Sequence, residues 1–240
     1  NEHLMLLEEN DLEKNKFLDG QILLFNKPPG WTSFDLVKKT RNLIKQKFKL
    51  KKIKVGHAGT LDPLATGLMI ICTGKFTKKI TEVQDLQKTY IAEILLGSTT
   101  PSFDLETEIN QRFSINKITE QDVVKALETF KGEIDQIPPI YSAIKVNGER
   151  LYAKARRGED VIIKSRKITI YSIKILDMSL PKLKIEIVCS KGTYIRSIAN
   201  DLGLKLNNGG HLISLSRSAI GNYNLKSSFS IKDFEKQLNS

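Results

Sequence analysis

The sequence predicts an α+β fold with a mainly antiparallel sheet flanked by helices. Short apolar runs, rich in β-branched and aromatic residues and bounded by Gly, Pro or Asn, predict strands. Apolar residues at helical spacing predict helices between some of these runs. Strands and helices follow one another without the regular alternation that builds a parallel sheet. The predicted strands cover residues 21–26, 68–72, 88–97, 168–175 and 184–189.

The first strong helix signal begins at Thr32. Thr32 and Asp35 have the spacing of a capping box, in which each side chain accepts a hydrogen bond from the other residue's backbone N–H. Val37, Ile44 and Phe48 then share one helical face. Further helices are predicted at 76–86, 119–130 and 195–206, and residues 98–113 are predicted to form a loop.

The chain has 240 residues, 40% apolar and 27% charged, which suits one globular domain or one domain with an insertion. No apolar run approaches the roughly 20 residues that cross a bilayer, and the first residues do not resemble a signal peptide. We therefore expect a cytoplasmic protein. Cys72 and Cys189 lie in apolar runs and are expected to be free thiols, with a single disulfide as the alternative.

Charge indicates a polyanionic partner. Residues 1–20 carry six acidic residues against two lysines and are predicted to form a weakly ordered acidic tail with a short helix at 11–18. The rest of the chain holds 36 Lys and Arg against 21 Asp and Glu, an excess of 15. Nine cations fall within 17 positions, and they predict either a nucleic-acid surface or a solvated helix end. They are Lys38, Lys39, Arg41, Lys45, Lys47, Lys49, Lys51, Lys52 and Lys54.

A second basic segment lies at residues 141–160. It interleaves five cations with Tyr141 and Tyr152. Aromatic rings beside cations can stack on bases while the cations hold phosphates, and the same pattern also fits an ordinary surface helix.

Residues 54–67 carry the most distinctive pattern of the chain. They hold three glycines, one His, one Asp and one Pro, and no helix or strand period runs through them. Glycine and Asp-Pro favour an ordered loop, which presents Asp62 just before a buried strand. From this pattern alone, Asp62 either starts a turn or carries chemistry.

The loop sequence Gly-His-x-Gly-x-Leu-Asp-Pro-x-Ala-x-Gly resembles the catalytic loop of the TruB-type pseudouridine synthases. Further blocks resemble the same family in the same order, although Asn26 and Ser216 stand where relatives often have Asp and Arg. These blocks cover residues 24–33, 88–90, 137–145, 189–197 and 211–221.

The resemblance implies a catalytic domain at 21–225, a central RNA-binding cleft and an inserted RNA-gripping clamp at about 98–165. Residues 226–240 would be a short C-terminal remnant, too short for the extra RNA-binding domain of many relatives. This favours the stand-alone enzyme that converts uridine 55 in the T loop of tRNA to pseudouridine. The RNA-guided branch, which needs protein partners, is the alternative.

The resemblance also implies roles for individual residues. Asp62 would be the nucleophile, and Arg196 the cation that keeps it ionised. Tyr90 would stack on the flipped uracil. The remaining predicted substrate-binding residues are His57 (RNA contact), Tyr194 and Leu215 (pocket lining) and Lys27 (support of the loop, or a phosphate contact).

Pseudouridylation rearranges bonds within one nucleotide, so no cofactor is expected, and no Cys/His cluster has metal-ligand spacing. The expected partner is tRNA, and the expected state is a monomer without an obligatory protein partner. A non-catalytic RNA-binding or tRNA-folding module on the same scaffold is the other alternative. Asp62, Tyr90 and Arg196 together favour the enzyme.

Overall fold

The computed structural model describes residues 2–142 and 144–240, with side chains from residue 11 onward in those ranges. The helices are α1 (Glu2–Asp19), α2 (Ser33–Phe48), α3 (Ile80–Gln84), α4 (Glu120–Glu128), α5 (Leu151–Arg156), α6 (Ile195–Lys205) and α7 (Ile231–Asn239). The strands are β1 (Ile22–Lys27), β2 (Val55–His57), β3 (Thr66–Thr73), β4 (Lys88–Leu96), β5 (Ser98–Thr99), β6 (Gln111–Arg112), β7 (Gly132–Gln136), β8 (Lys145–Val146), β9 (Glu149–Arg150), β10 (Arg166–Ser179), β11 (Lys182–Cys189), β12 (Gly210–Ile220) and β13 (Tyr223–Asn224).

The chain folds as two compact units. The first unit comprises Asn1–Leu86 and Ser216–Ser240, and the second comprises Gln87–Leu215. The boundary near the C-terminus therefore falls within β12. The predicted α+β class with a mainly antiparallel sheet is confirmed, whereas the functional division into residues 1–20, 21–225 and 226–240 stays a prediction.

In the first unit the sheet is built around β3. β1 pairs antiparallel with it from end to end, and six consecutive β3 residues, 68–73, have no exposed surface. β2 also pairs with β3, so a short strand exists where the sequence pattern indicated only loop. The end of β12 runs parallel to β3, with Arg217 opposite Gly67. This parallel pair is an exception in an otherwise mainly antiparallel sheet.

An aromatic cluster joins three helices of the first unit, α1, α2 and α7, to its sheet. Phe25 of β1 stacks on Phe229 at 4.9 Å and meets Phe234 of α7 edge-on at 5.4 Å. Phe17 of α1 contacts Phe234 at 6.2 Å and Phe48 of α2 at 5.8 Å. α1 is longer than the predicted helix at 11–18, and α7 was not predicted at all. Both terminal helices are held by burial of these rings.

Helix α2 begins as predicted. The Thr32 hydroxyl accepts from the Asp35 N–H at 2.9 Å, and the Asp35 carboxylate accepts from the Thr32 N–H at 2.9 Å. The capping box is confirmed, and an equivalent one at Thr119 starts α4.

In the second unit β4, β11, β10 and β7 form an antiparallel series in that order. Alternate residues of β4 are buried, as expected for a strand with one face on the core. β7 and the outer part of β10 were not predicted from the sequence. Both are rich in charged residues, which hide the strand pattern.

The predicted loop at 98–113 is ordered by buried polar side chains. The Ser102 hydroxyl donates to the Asp104 carboxylate at 2.6 Å, and Asp104 also accepts from the Glu106 N–H at 2.9 Å. The Ser102 N–H donates to the Thr107 hydroxyl at 3.0 Å. The ends of the segment are not loop, because β5 and β6 pair there as a short antiparallel ladder. Between these two strands, side-chain hydrogen bonds order the backbone.

Cys72 and Cys189 are buried free thiols, as predicted. No helix within residues 2–142 and 144–240 is long and apolar enough to cross a membrane.

Candidate active site

Asp62 lies in the loop between β2 and β3. Asp62 is partly exposed, whereas Leu61 before it is buried and Pro63 after it is exposed. The Asp62 carbonyl accepts from the Ala65 N–H at 3.0 Å, so Asp62 does open a turn. Because Asp62 as a residue is partly exposed, the turn and the chemical interpretation are compatible.

Lys27, at the end of β1, supports this loop from inside. Its side chain has no exposed surface, and Nζ donates to the carbonyls of Pro28 at 3.0 Å, Trp31 at 2.7 Å and Pro63 at 3.2 Å. Burial lowers the pKa of the Lys27 ammonium from 10.5 to about 8, although the carboxylates of Asp62 and Asp35 oppose the shift. Such enclosure favours support of the loop over contact with a phosphate.

The residue before Asp62 is held by Ser33, the first residue of α2. The Leu61 N–H donates to the Ser33 hydroxyl at 2.9 Å, and that hydroxyl donates back to the Leu61 carbonyl at 3.0 Å. Because Ser33 begins a helix with a complete capping box, its own position is rigid. The backbone leading into Asp62 is therefore fixed to a helix terminus.

Arg217, near the end of β12, holds the two ends of the loop. Nε donates to the Leu68 carbonyl at 2.9 Å, and the terminal nitrogens donate to Thr60 at 3.3 Å and Gly59 at 3.2 Å. The side chain is only 1% exposed. A buried guanidinium keeps its charge, and here carbonyl oxygens satisfy it.

His57 ends β2, opposite Ile71 of β3. Burial and, secondly, the positive charge of Arg217 lower the pKa of its imidazole, while a hydrogen bond with the Gly59 backbone opposes the shift. The ring is therefore predominantly neutral at pH 7, when it can donate one hydrogen bond and accept another. Its predicted contact with RNA stays a prediction.

Arg196, the predicted partner of Asp62, lies in the first turn of α6 and is 3% exposed. Nη1 donates to the carbonyls of Tyr141 at 2.7 Å and Ser102 at 3.3 Å. Its guanidinium carbon lies 6.0 Å from the centre of the Tyr194 ring. The predicted ion pair of Arg196 with Asp62 stays a prediction.

The N-terminus of α6 is held by Gln136 of β7. Its amide oxygen accepts from the Tyr194 N–H at 2.8 Å, and its amide nitrogen donates to the Tyr194 carbonyl at 3.1 Å. One turn later the Ser197 hydroxyl donates to the Ile137 carbonyl at 2.7 Å. Gln136 and Ile137 thus orient the segment that carries Tyr194 and Arg196.

Tyr90 and Leu215 lie on strands of the second unit. Tyr90 is on β4 opposite Ile187 of β11 and is 9% exposed. Leu215 is half-buried on β12. Their predicted roles in a uracil pocket stay predictions.

Within the first unit, the Lys27 ammonium interacts electrostatically with the Asp62 carboxylate. The grouping of Lys27, His57 and Asp62 in one substrate site stays a prediction. Ser33, Arg217 and Gln136 were not predicted from the sequence as parts of the site. Ser33 and Arg217 both lie within the resembling blocks, and Arg217 is the only cation of β12. A lone cation within a strand is a signal that could have drawn attention to it.

The basic segment forms the end of α2 and the connection to β2. Lys38, Lys49, Lys51, Lys52 and Lys54 are exposed. In the part of the chain whose side chains are described, none of the nine cations lies within 4.0 Å of a carboxylate as an ion pair. The positive charge of this surface is therefore available to an external anion.

Comparison with known proteins identifies the family. The family model for the N-terminal domain of TruB family pseudouridylate synthases matches residues 45–195, which include the Asp62 loop and the start of α6. The chain belongs to the TruB family. The prediction made from the motif blocks is confirmed at this level.

Several relatives of the family are similar over nearly the whole chain. The tRNA pseudouridine synthase B of Parabacteroides distasonis is 54% identical over 224 residues, 92% of this chain and 95% of the relative. That of Flavobacterium johnsoniae is 52% identical, over 93% of this chain and 98% of the relative. That of Clostridium kluyveri is 45% identical, over 92% of this chain and 73% of the relative.

Solved structures agree with the fold. A Cbf5–Nop10–Gar1 complex contains a chain that is 26% identical, with a TM-score of 0.68 over 92% of this chain. This chain spans 54% of that protein. A chain of an H/ACA RNP bound to a substrate RNA is 23% identical with a TM-score of 0.65, which supports the fold alone.

Proposed function

We propose that this protein isomerises a uridine of tRNA to pseudouridine, with Asp62 as the nucleophile and uridine 55 of the T loop as the target. The observation that carries the proposal is the Asp62 loop, which holds a partly exposed Asp62 and whose backbone is hydrogen-bonded by the buried side chains of Lys27, Ser33 and Arg217. The family membership and the relatives named tRNA pseudouridine synthase B support the reaction and the substrate.

The reaction breaks the bond from N1 of uracil to C1′ of the ribose and forms a bond from C5 to C1′. C5 loses a proton and N1 gains one, so the atoms and electrons balance within one nucleotide. An ionised carboxylate can stabilise or attack the electron-poor ribose carbon, as in glycoside chemistry. Attack at C1′, attack at C6 and a glycal route each use Asp62.

The other predicted residues serve this step. Arg196 would supply the positive charge that keeps Asp62 ionised. Tyr90 would stack on the uracil, with its phenol near the proton of C5. Tyr194 and Leu215 would line the same pocket, and His57 would contact the RNA.

The target base lies within a folded loop, so the enzyme must flip it, at a cost of a few kcal/mol. Contacts between phosphates and the exposed lysines of residues 38–54 would offset that cost. The segment at about 98–165 would act as the RNA-gripping clamp within a catalytic domain at 21–225. We further propose a cytoplasmic monomer that needs neither a cofactor nor a partner protein.

The stand-alone tRNA enzyme is preferred over an RNA-guided subunit. The relatives named tRNA pseudouridine synthase B share 45–54% identity with this chain, whereas the chain from the Cbf5–Nop10–Gar1 complex shares 26%. A non-catalytic module has no need of three buried side chains that hold the loop around a partly exposed Asp62.

The proposal is tested with an unmodified tRNA transcript that carries tritium at C5 of its uracils. Tritium leaves only when C5 becomes the glycosidic carbon. We expect release by the wild type, no release by Asp62→Asn, and tRNA binding by both. A transcript with cytidine at position 55 should release nothing.

Asp19→Asn is the matched control, because Asp19 is an exposed Asp of the same unit and lies outside the loop. It should behave as the wild type. Absence of release by wild-type protein that binds tRNA would overturn the enzyme proposal. Release by Asp62→Asn at the wild-type rate would overturn the assignment of the nucleophile.

A further inference from the structure

Arg217 has no part in the proposed chemistry, although it is among the largest fully buried side chains of the protein. In the part of the chain that the structure describes, it forms no ion pair with a carboxylate. Burying a charge is costly unless hydrogen bonds satisfy it. The three carbonyls that accept hydrogen bonds from the Arg217 guanidinium belong to the segment around Asp62.

The carbonyls bound by Arg217 lie on both sides of Asp62 in sequence. Gly59 and Thr60 precede Asp62, and Leu68 follows it in β3. The guanidinium is a rigid planar fork, so three bonds in different directions fix the distance between the start and the end of the loop. Lys27 and Ser33 hold the loop between these two points.

The glycines of the loop fit the same arrangement. Gly67 has φ +110°, and a Cβ there would lie 2.3 Å from the Arg217 carbonyl oxygen. Gly59 has φ +119°, and its Cβ position lies 3.6 Å from Nη1 of Arg217. Gly67 therefore lets the Arg217 backbone approach the end of the loop. Gly59, near the start of the loop, lies beside the Arg217 guanidinium.

We infer that Arg217 is a positioning residue for Asp62. Through its hydrogen bonds to the carbonyls of Gly59, Thr60 and Leu68, Arg217 sets the position and orientation of the loop that carries Asp62. This inference rests on the proposed role of Asp62. Arg217 itself does not touch the substrate. Its loss would misplace the carboxylate, and a misplacement of about 1 Å can reduce a rate by about 100-fold.

The first test measures single-turnover tritium release at saturating enzyme, together with the dissociation constant for the tRNA. Arg217→Met should reduce the rate constant about 100-fold. Arg217→Lys keeps the charge but lacks the fork, so it should reduce the rate constant about tenfold. The dissociation constant should stay within about threefold of the wild type in both variants, because the basic surface that binds phosphates is unchanged.

Phe234→Leu is the control for general destabilisation. Phe234 is buried in α7, in the aromatic cluster of the same unit. This variant should lower the thermal midpoint without lowering the rate constant. Should Arg217→Lys and Phe234→Leu lose rate in the same proportion to their loss of thermal stability, Arg217 would be merely structural and the inference would be wrong.

Amide hydrogen exchange gives a second readout that does not depend on activity. In Arg217→Lys the N–H groups of Leu61 and Ala65, both bonded within the site, should exchange at least about tenfold faster, because local opening is governed by local contacts. Exchange in β11 should not change. Unchanged exchange at Leu61 and Ala65 would overturn the inference even if the wild type proved inactive, so the two proposals fail separately.

Discussion

The hydroxyl of Ser33 and the backbone of Leu61 form a reciprocal pair of hydrogen bonds, at 2.9 Å from the Leu61 N–H and 3.0 Å to the Leu61 carbonyl. One side chain thus satisfies both backbone groups of the residue before Asp62. Ser33 is buried, 28 residues away in sequence. The loop that carries Asp62 is therefore attached to the start of a helix.

Ser33→Ala should lower the free energy of unfolding by about 2–3 kcal/mol, because it leaves two buried backbone groups without their partner. It should also reduce the rate of tritium release more than it weakens tRNA binding. Denaturant titration and single-turnover kinetics measure the two effects. Ser227→Ala, at an exposed serine of the same unit, is the control, and equal stability losses in the two variants would refute the expectation.

Gly67→Ala should be among the most damaging substitutions in the chain. The new Cβ would lie 2.3 Å from the Arg217 carbonyl oxygen and 2.5 Å from its nitrogen, and neither backbone atom can move without breaking the pairing of β3 with β12. We expect a loss above about 4 kcal/mol or no folded protein.

Gly132→Ala separates this clash from the cost of the backbone conformation. Gly132 has φ +92°, but no atom lies within 4 Å of its Cβ position. Only the strain of a left-handed conformation applies, about 1–2 kcal/mol. Thermal midpoints of the two variants give the comparison, and similar midpoints would show that the contact with Arg217 is not the cause.

Because the pKa of Lys27 is lowered, we expect stability to rise and activity to fall as the pH increases. Its pKa is about 8 in the folded protein against 10.5 ordinarily, so between those values the unfolded chain binds a proton that the folded chain has lost. The stability of the wild type relative to Lys27→Met should therefore rise between pH 8 and 10.5, by roughly 3 kcal/mol. Denaturant titrations across this range measure the difference.

Activity should fall over the same range. The neutral amine has only two N–H donors for the three carbonyls of Pro28, Trp31 and Pro63, so the loop loses one contact. A stability difference that does not change between pH 8 and 10.5 would contradict the lowered pKa.

Gln136→Leu should lower the free energy of unfolding by about 2–3 kcal/mol, because the amide pairs with both backbone groups of Tyr194. Tritium release should slow as the start of α6 loses its orientation. Glu133→Ala on the same strand is the control. It removes only an exposed ion pair with Lys167, worth less than about 1 kcal/mol. A Gln136→Leu loss no larger than that of the control would contradict this role.

The double variant Lys51→Gln, Lys52→Gln should bind tRNA more weakly. The slope of log affinity against log salt should become shallower by about 1–2, since each lost phosphate contact changes it by about 0.9. Filter binding between low and moderate salt measures the slope. Lys232→Gln, Lys236→Gln removes the same charge from exposed positions of α7, and an equal change in slope there would show that the basic segment has no special part.

The sequence by itself determined features that depend on neighbouring residues. Thr32 and Asp35 cap α2 because their side chains reach backbone groups within one turn. The run at 68–72 forms a buried strand because every residue of it is apolar. The motif blocks also led to the family without any knowledge of the fold.

Only the tertiary structure decided what surrounds the candidate nucleophile. Arg217 reaches Gly59 across 158 positions, and Gln136 reaches Tyr194 across 58. Such bonds depend on the path of the whole chain, and no local propensity encodes them. β12 went unpredicted because it mixes polar residues with apolar ones, and α7 because its stability comes from rings contributed by other elements. The residues that hold the loop were therefore visible only once the chain was folded.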